Sequence, residues 1–150
     1  MKKLIDVYVY RLVEGEPEFL LFLRSAKKIY ANQWRMVGGK VEDGEKYWEA
    51  ALRELKEETG LTPEQFWTIP SVNTFYEAKT DQIHHIPAFA VELKPDSIPE
   101  LDDEHTEYRW ISIEELDSYL SWPEQKRLIR LAHNLLVNDQ ILPEWRISIT

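Results

Sequence analysis

The chain has no cysteine, so neither a disulfide nor a thiolate metal site contributes to its fold or its chemistry. Positive charge is also short. Eighteen Lys and Arg against 27 Asp and Glu leave a formal net charge of −9, the wrong sign for a sequence-independent nucleic-acid binder, whose affinity rests on phosphate neutralisation by a basic face. No apolar run approaches the roughly 20 residues needed to span a bilayer, so no membrane segment is expected. The start, Met1-Lys2-Lys3 followed by an alternating segment broken by Asp6 and Arg11, lacks the apolar stretch of a secretory signal, and a cytoplasmic location is expected.

What is present is the composition of a soluble globular protein, 43% hydrophobic and 30% charged. Its 150 residues suit one domain, 1–150, able to bury about two thirds of its unfolded surface. Leu4 to Val13 alternates apolar and polar residues. A second apolar run, Glu18 to Leu23, follows the turn Glu14-Gly15-Glu16-Pro17, and the two read as a hairpin. Arg24 to Gln33 reads as a polar loop, and Trp34 to Val37 as a short extended piece leading into Gly38-Gly39. Phe66 to Glu77, His84 to Leu93 and Glu107 to Ile113 are further strand candidates, the second with Phe89 and Val91 on one face. Ser112 with Glu115, and Ser121 with Glu124, have the spacing of capping boxes. The second precedes a helix whose apolar face is Leu128, Ile129, Leu131, Ala132, Leu135 and Leu136. Strands, helix, strands and helices without regular alternation predict an α+β or α/β/α sandwich on a mixed sheet.

Between Gly39 and Leu61 the chain reads GKVEDGEKYWEAALRELKEETGL. Trp48, Ala51, Leu52, Leu55 and Thr59 recur at helical spacing and define one buried stripe, while Gly60 marks the helix end. Lys46 is a poor residue for the start. At about 100° per residue, Glu54, Glu57 and Glu58 share a flank beginning where the stripe ends. Like charges three or four positions apart repel by a few tenths of a kcal/mol per pair, a cost that a bound hard divalent cation relieves. The competing interpretation is a solvated charge network in which Arg53 and Lys56 balance the glutamates.

The segment resembles the signature of the Nudix hydrolases, G-x5-E-x7-R-E-U-x-E-E-x-G-U with U aliphatic, and meets each specified position at Gly39, Glu45, Arg53, Glu54, Leu55, Glu57, Glu58, Gly60 and Leu61. At background residue frequencies a match in a chain this long arises by accident on the order of once in 10⁷ tries. The resemblance implies a Nudix-type α/β/α sandwich, with the motif helix packed on a mixed sheet. It also implies Mg²⁺- or Mn²⁺-dependent attack of water on a diphosphate linkage. Carried over by motif position, the metal ligands are Glu54, Glu57, Glu58 and the backbone carbonyl of Gly38. Glu54 doubles as candidate base, with Glu104, beside His105, as the later-loop alternative. Arg53 orients the carboxylates, and Glu45 fixes the loop or a more distant metal. A proline common before the paired glycines is replaced here by Met36-Val37, which bears on the loop's rigidity.

Arg24 and Lys40 are candidate phosphate contacts, although a lone basic residue is more often a solvated surface charge. Trp34 and Tyr76 are candidate ring-stacking residues, although an isolated aromatic in a strand is more often core, and Trp110 reads as core. His84 and His85 alternate to opposite faces of a strand, which argues against a two-histidine metal site. The segments Glu104 to Ile111 and Ser121 to Arg127 are similar to a branch acting on (deoxy)nucleoside triphosphates and dihydroneopterin triphosphate. The expected partner is therefore a small nucleoside or pterin polyphosphate, split into a monophosphate and pyrophosphate. A dinucleoside polyphosphate hydrolase is the nearest alternative, since Tyr76 lies close to where that branch carries a stacking tyrosine. A non-catalytic nucleotide sensor is the other. A monomer and a homodimer are both left open.

Overall fold

The computed structural model describes residues 2–26 and 32–149. Part of the expected loop from Arg24 to Gln33 therefore lies outside the described residues. Among those described, the strands are β1 (Leu4–Val13), β2 (Glu16–Arg24), β3 (Trp34–Arg35), β4 (Val37–Lys40), β5 (Gln65–Glu77), β6 (Gln82–Glu92) and β7 (His105–Ile111). The helices are α1 (Tyr47–Thr59), α2 (Leu116–Tyr119) and α3 (Pro123–Val137), and none is long and apolar enough to cross a membrane.

The strands form one mixed sheet ordered β3-β2-β1-β6-β5, with β4 also pairing β1 and β7 pairing β2. The β1–β6 pair is parallel and the others are antiparallel. Two-residue alternation sends Tyr8, Tyr10, Phe19 and Leu21 to one face, where they pack with Leu128, Ile129 and Ala132 of α3. It sends Ile5, Val7, Val9, Leu20 and Phe22 to the other, against Ala50, Ala51 and Leu55 of α1. The result is the expected α/β/α sandwich.

Several local expectations need correction. The second capping box does not form: Trp122 is the N-cap, with Pro123 at the first helical position, where its missing N–H costs nothing. Glu124 instead accepts from the Thr74 N–H at 3.2 Å and pairs with Arg127 at 2.9 Å. The buried face of α1 is rotated from the predicted stripe, taking in Ala50 and Glu58 and leaving Trp48 and Leu52 half-buried. Trp110 is also half-buried, packed on the α1-side core beneath the Arg11 guanidinium, 4.4 Å from its ring centre.

The start of α1 is held by Glu49, which accepts the Lys46 N–H at 2.8 Å, while the Lys46 ammonium has no lone pair to return the bond. The helix ends on Gly60 at φ 74°, a left-handed conformation that side-chain-bearing residues rarely adopt. The loop before the motif gains its order from the ladder. Val37, Gly38 and Gly39 pair with Val7, Asp6 and Ile5, so a proline is not needed to fix them.

Past a register shift between Thr68 and Val72, β5 and β6 continue as a two-stranded arm. One face of this arm carries Asn73, Phe75, Glu77, His84 and Ile86, and the other carries Tyr76 paired with Ile83. His84 and His85 take opposite faces as expected.

Candidate active site

The glutamate flank of α1 lies against β4. A Cβ built on Gly39 would stand 2.3 Å from Glu54 Cδ, far inside van der Waals contact, so the glycine is required by the carboxylate packed against it. Gly38 donates its N–H to Glu58 Oε2 at 3.3 Å. Glu58 is only 4% exposed, while the Glu57 side chain is 57% exposed and reaches outward from the same flank.

Among the described residues, Arg53 is the cation that joins the group. Arg53 grips Glu45 with Nε at 2.8 Å and Nη2 at 3.0 Å, and reaches Glu54 with Nη1 at 2.9 Å and Glu57 at 3.3 Å. Its Nη2 also donates to the Lys40 carbonyl at 2.8 Å, tying the helix to the end of β4. The two-pronged contact is therefore with Glu45, which also accepts the Glu42 N–H at 2.9 Å and so fixes the loop ahead of the helix.

This arrangement shifts proton affinities in both directions. Burial, then the Glu54 charge, holds the Glu58 carboxyl far above the usual carboxylate range. Burial likewise raises Glu54, against the pull of Arg53, whereas the Arg53 bond lowers Glu45. Glu54 and Glu58 are close neighbours, and two partly or fully buried carboxyls brought together favour a positive charge between them. Neighbouring buried carboxyls packed against a glycine that has no room for a Cβ fit a dication that would offset their charge. The donor set of clustered carboxylate oxygens suits a hard ion.

Behind Glu58 sits His105, its side chain 1% exposed. Its Nδ1 is 2.8 Å from Asp102 Oδ1 and its Nε2 is 3.8 Å from Glu58 Oε1. These three residues bring one ligand atom each within 4.8 Å of one another, so the carboxylate cluster extends past the motif into the loop before β7. Glu104 from the same loop pairs with Arg24 Nη1 at 3.2 Å.

A cleft of about 280 Å³ runs alongside. It is bordered by Glu58, Gly38, Gly39 and Arg24, by Asp6 and Asn73, by Phe75 and His84 of the arm, and by Trp122 and Gln125 at the start of α3. Phe75 and His84 are stacked, 4.8 Å between ring centres and 23° apart in plane. Asp6 is buried, its Oδ2 accepting from Asn73 Nδ2 at 2.9 Å and from Tyr8 OH at 3.2 Å. Burial raises its carboxyl, opposed by those two bonds and the Arg35 charge.

Of the residues singled out in the sequence, Glu54, Glu57, Glu58, Arg53 and Gly38 come together, and Arg24 joins them at the cleft with Glu104 beside it. Lys40 does not line the cleft; its contribution is the backbone carbonyl held by Arg53. Trp34 packs on the α3 side against Tyr119, with ring centres 5.6 Å apart. Tyr76 is 59% exposed on the far face of the arm, its hydroxyl on Asp81 at 2.8 Å. Strand alternation puts Phe75, not Tyr76, in the cleft. Trp122 and Gln125 lie in the segment Ser121 to Arg127 noted above but were given no role there, and Asp6, Asn73 and Phe75 were not picked out, because no motif joins them. A lone charged residue in an apolar strand, Asp6, was the one signal available.

A mixed sheet between helices, with three carboxylates on a helix flank beside a cleft, is an arrangement suited to hydrolysis of phosphorus-containing acid anhydrides. The NUDIX domain model matches residues 2–132. Over 131 residues the chain is 31% identical to the asymmetrical bis(5'-nucleosyl)-tetraphosphatase of Caenorhabditis elegans, covering 85% of this chain and 91% of that one. It is 28% identical over 116 residues to the nucleoside triphosphatase NudI of Salmonella agona, covering 72% of this chain and 82% of the relative. The crystal structure of a C. elegans Ap4A hydrolase binary complex superposes with a TM-score of 0.76 at 26% identity, over 92% of this chain and 99% of that one. The chain belongs to the NUDIX family and is a Nudix hydrolase.

Proposed function

We propose that this enzyme hydrolyses a diphosphate linkage of a nucleoside or pterin triphosphate, yielding a monophosphate and pyrophosphate, with Mg²⁺ or Mn²⁺ as cofactor. The observation that supports it best is the packing of Glu54 on Gly39 beside buried Glu58, at the edge of a cleft whose aromatic walls suit a planar ring. Glu54, Glu57, Glu58 and the Gly38 carbonyl would hold the metal, which when bound offsets polyphosphate charge and acidifies the attacking water.

The side chains then divide the work. Arg53 keeps Glu54 and Glu57 in register and ties both to the glycine strand, so the carboxylates need no rearrangement during the reaction. Glu54 takes the proton as the water oxygen bonds to phosphorus and the bond to the bridging oxygen breaks. Burial raises its proton affinity, the direction that a general base requires. Glu104 is the second candidate base, but its carboxylate is engaged by Arg24, which lines the cleft and would present its charge to a phosphate.

A second reading, cleavage of a dinucleoside polyphosphate, is favoured by the 31% identity to the C. elegans tetraphosphatase. Against it stands the placement of Tyr76, whose ring lies outside the cleft. A panel of nucleoside, pterin and dinucleoside polyphosphates with Mg²⁺, with each product identified by mass, separates the two. Pyrophosphate and a monophosphate support the first reading. A nucleoside triphosphate released from a dinucleoside tetraphosphate, with triphosphates left intact, would replace it with the second.

A further inference from the structure

His105 opens β7, and its ring is held from two sides. Phe22 packs against it with ring centres 5.2 Å apart, and its Nδ1 lies 2.8 Å from Asp102 Oδ1. Asp102 Oδ1 also accepts the Glu104 N–H at 3.0 Å, so the turn from 102 to 105 fixes both members of the pair. A carboxylate can only accept, so Nδ1 carries the ring proton and Nε2 presents a lone pair. That second nitrogen faces Glu58 Oε1 at 3.8 Å, too far for a hydrogen bond, and makes none among the described residues. A staple for the loop would need only the Nδ1 bond. It would leave Nε2 without a partner on a side chain 1% exposed, which is disfavoured in a folded protein.

The Glu58 end is placed to match. Its Oε2 accepts the Gly38 N–H at 3.3 Å, which leaves Oε1 toward the ring. Ligand bonds of about 2.1 Å from each side to one dication reach across the 3.8 Å gap with little movement of either side chain. A ring nitrogen also adds a ligand without adding negative charge to a flank that already carries Glu54, Glu57 and Glu58. A carboxylate on the far nitrogen, the position Asp102 holds, is the usual companion of a metal-bound histidine, whose tautomer and orientation it fixes.

We propose that His105 Nε2 is a further ligand of the ion held by Glu58, with Asp102 orienting the ring, and that this nitrogen makes the centre favour transition dications over Mg²⁺. Oxygen ligands alone suit Mg²⁺, whereas imidazole suits ions from later in the first transition row. The proposal rests on the metal-dependent reading above and adds to it one ligand and an ion preference.

The test is the electron spin echo modulation of Mn²⁺ bound to the wild-type protein without substrate, in which a ligating imidazole appears as a ¹⁴N signal. That signal is expected in the wild type and lost in His105→Gln. The chain holds four histidines. In the triple variant His84→Gln, His85→Gln, His133→Gln, which leaves His105 alone, the signal is expected to persist, and this variant carries the test if His105→Gln does not fold. Calorimetric titration reads the preference: His105→Gln should weaken Co²⁺ binding about 10- to 100-fold and Mg²⁺ binding less than about threefold. A ¹⁴N signal that survives in folded His105→Gln, or is lost in the folded triple variant, overturns the proposal, as do equal losses for Co²⁺ and Mg²⁺. Saturable Mn²⁺ binding to the wild type with no ¹⁴N signal would overturn it while sparing the polyphosphate reading. A signal that depends on His105, with no turnover of any polyphosphate, would do the reverse.

Discussion

Replacing Gly39 by alanine isolates the packing on which the proposed metal site depends. The added methyl would fall 2.3 Å from Glu54 Cδ and 2.4 Å from its Oε1, against an ordinary carbon–carbon contact of about 3.5 Å. Glu54 must therefore move by about 1 Å or change rotamer. Because the group in the way is the end of a flexible side chain, the fold absorbs the change at a cost of about 1 kcal/mol, a few degrees in Tm for a domain of this size. The active geometry does not absorb it, since a misplacement of about 1 Å costs on the order of 10²-fold in rate. Turnover should be followed by product release from the best substrate of the panel, with far-UV circular dichroism and Tm measured on the same preparation. A loss of about 10²-fold in kcat with a melting point lowered by only a few degrees is expected. Turnover within about threefold of wild type would refute the reasoning, because it would mean that Glu54 need not sit where the glycine admits it.

The remaining predictions concern the neighbours of that carboxylate. Arg53→Lys keeps the charge but cannot span Glu45, Glu54, Glu57 and the Lys40 carbonyl at once; kcat should fall about 10- to 100-fold, and a variant with unchanged steady-state kinetics would contradict the positioning role. In EDTA, Glu58 contributes stability that is full below the unfolded carboxylate value of about 4.3 and is lost as pH rises toward its raised folded value. Thermal melts of Glu58→Gln should therefore decline less steeply than wild type above about pH 5, whereas parallel curves would remove Glu58 as the cause. Glu45 and Asp117, whose carboxyls are lowered, act at lower pH and cancel in that comparison. Tyr76→Ala should leave triphosphate turnover within about twofold, because its ring stands outside the cleft; a loss of about tenfold or more would place it in the substrate site.

The layered architecture was legible because alternation and helical period each report a local geometry: β1 took the predicted bounds, and Gly60 ended α1 as expected. The carboxylate flank was legible for the same reason, being set by spacing along one helix. What spacing could not give was the rotation of that helix on the sheet, which buried Glu58 and Ala50 and left Trp48 half outside. Nor could it show which face of the arm turns inward: the register shift after Thr68 decides that Phe75 borders the cleft and Tyr76 does not. Asp6 on β1, Asn73 on β5, and Trp122 with Gln125 at the start of α3 come from three separate segments. Only tertiary packing joins them, so a reading along the chain had no period or motif by which to group them. For Lys40 the sequence offered only its charge to weigh, whereas its carbonyl makes the described contact.

The measurement that tests the central claim most directly is a calorimetric titration of Mn²⁺ into the wild-type protein and into a Glu54→Gln, Glu57→Gln, Glu58→Gln triple variant, in buffers of different ionisation enthalpy. Saturable binding with proton release in the wild type, abolished in the folded variant, is the predicted result, because a bound ion favours the charged form of a carboxyl that burial holds upward. Equal affinity in both proteins, or no saturable binding to the wild type, would contradict it.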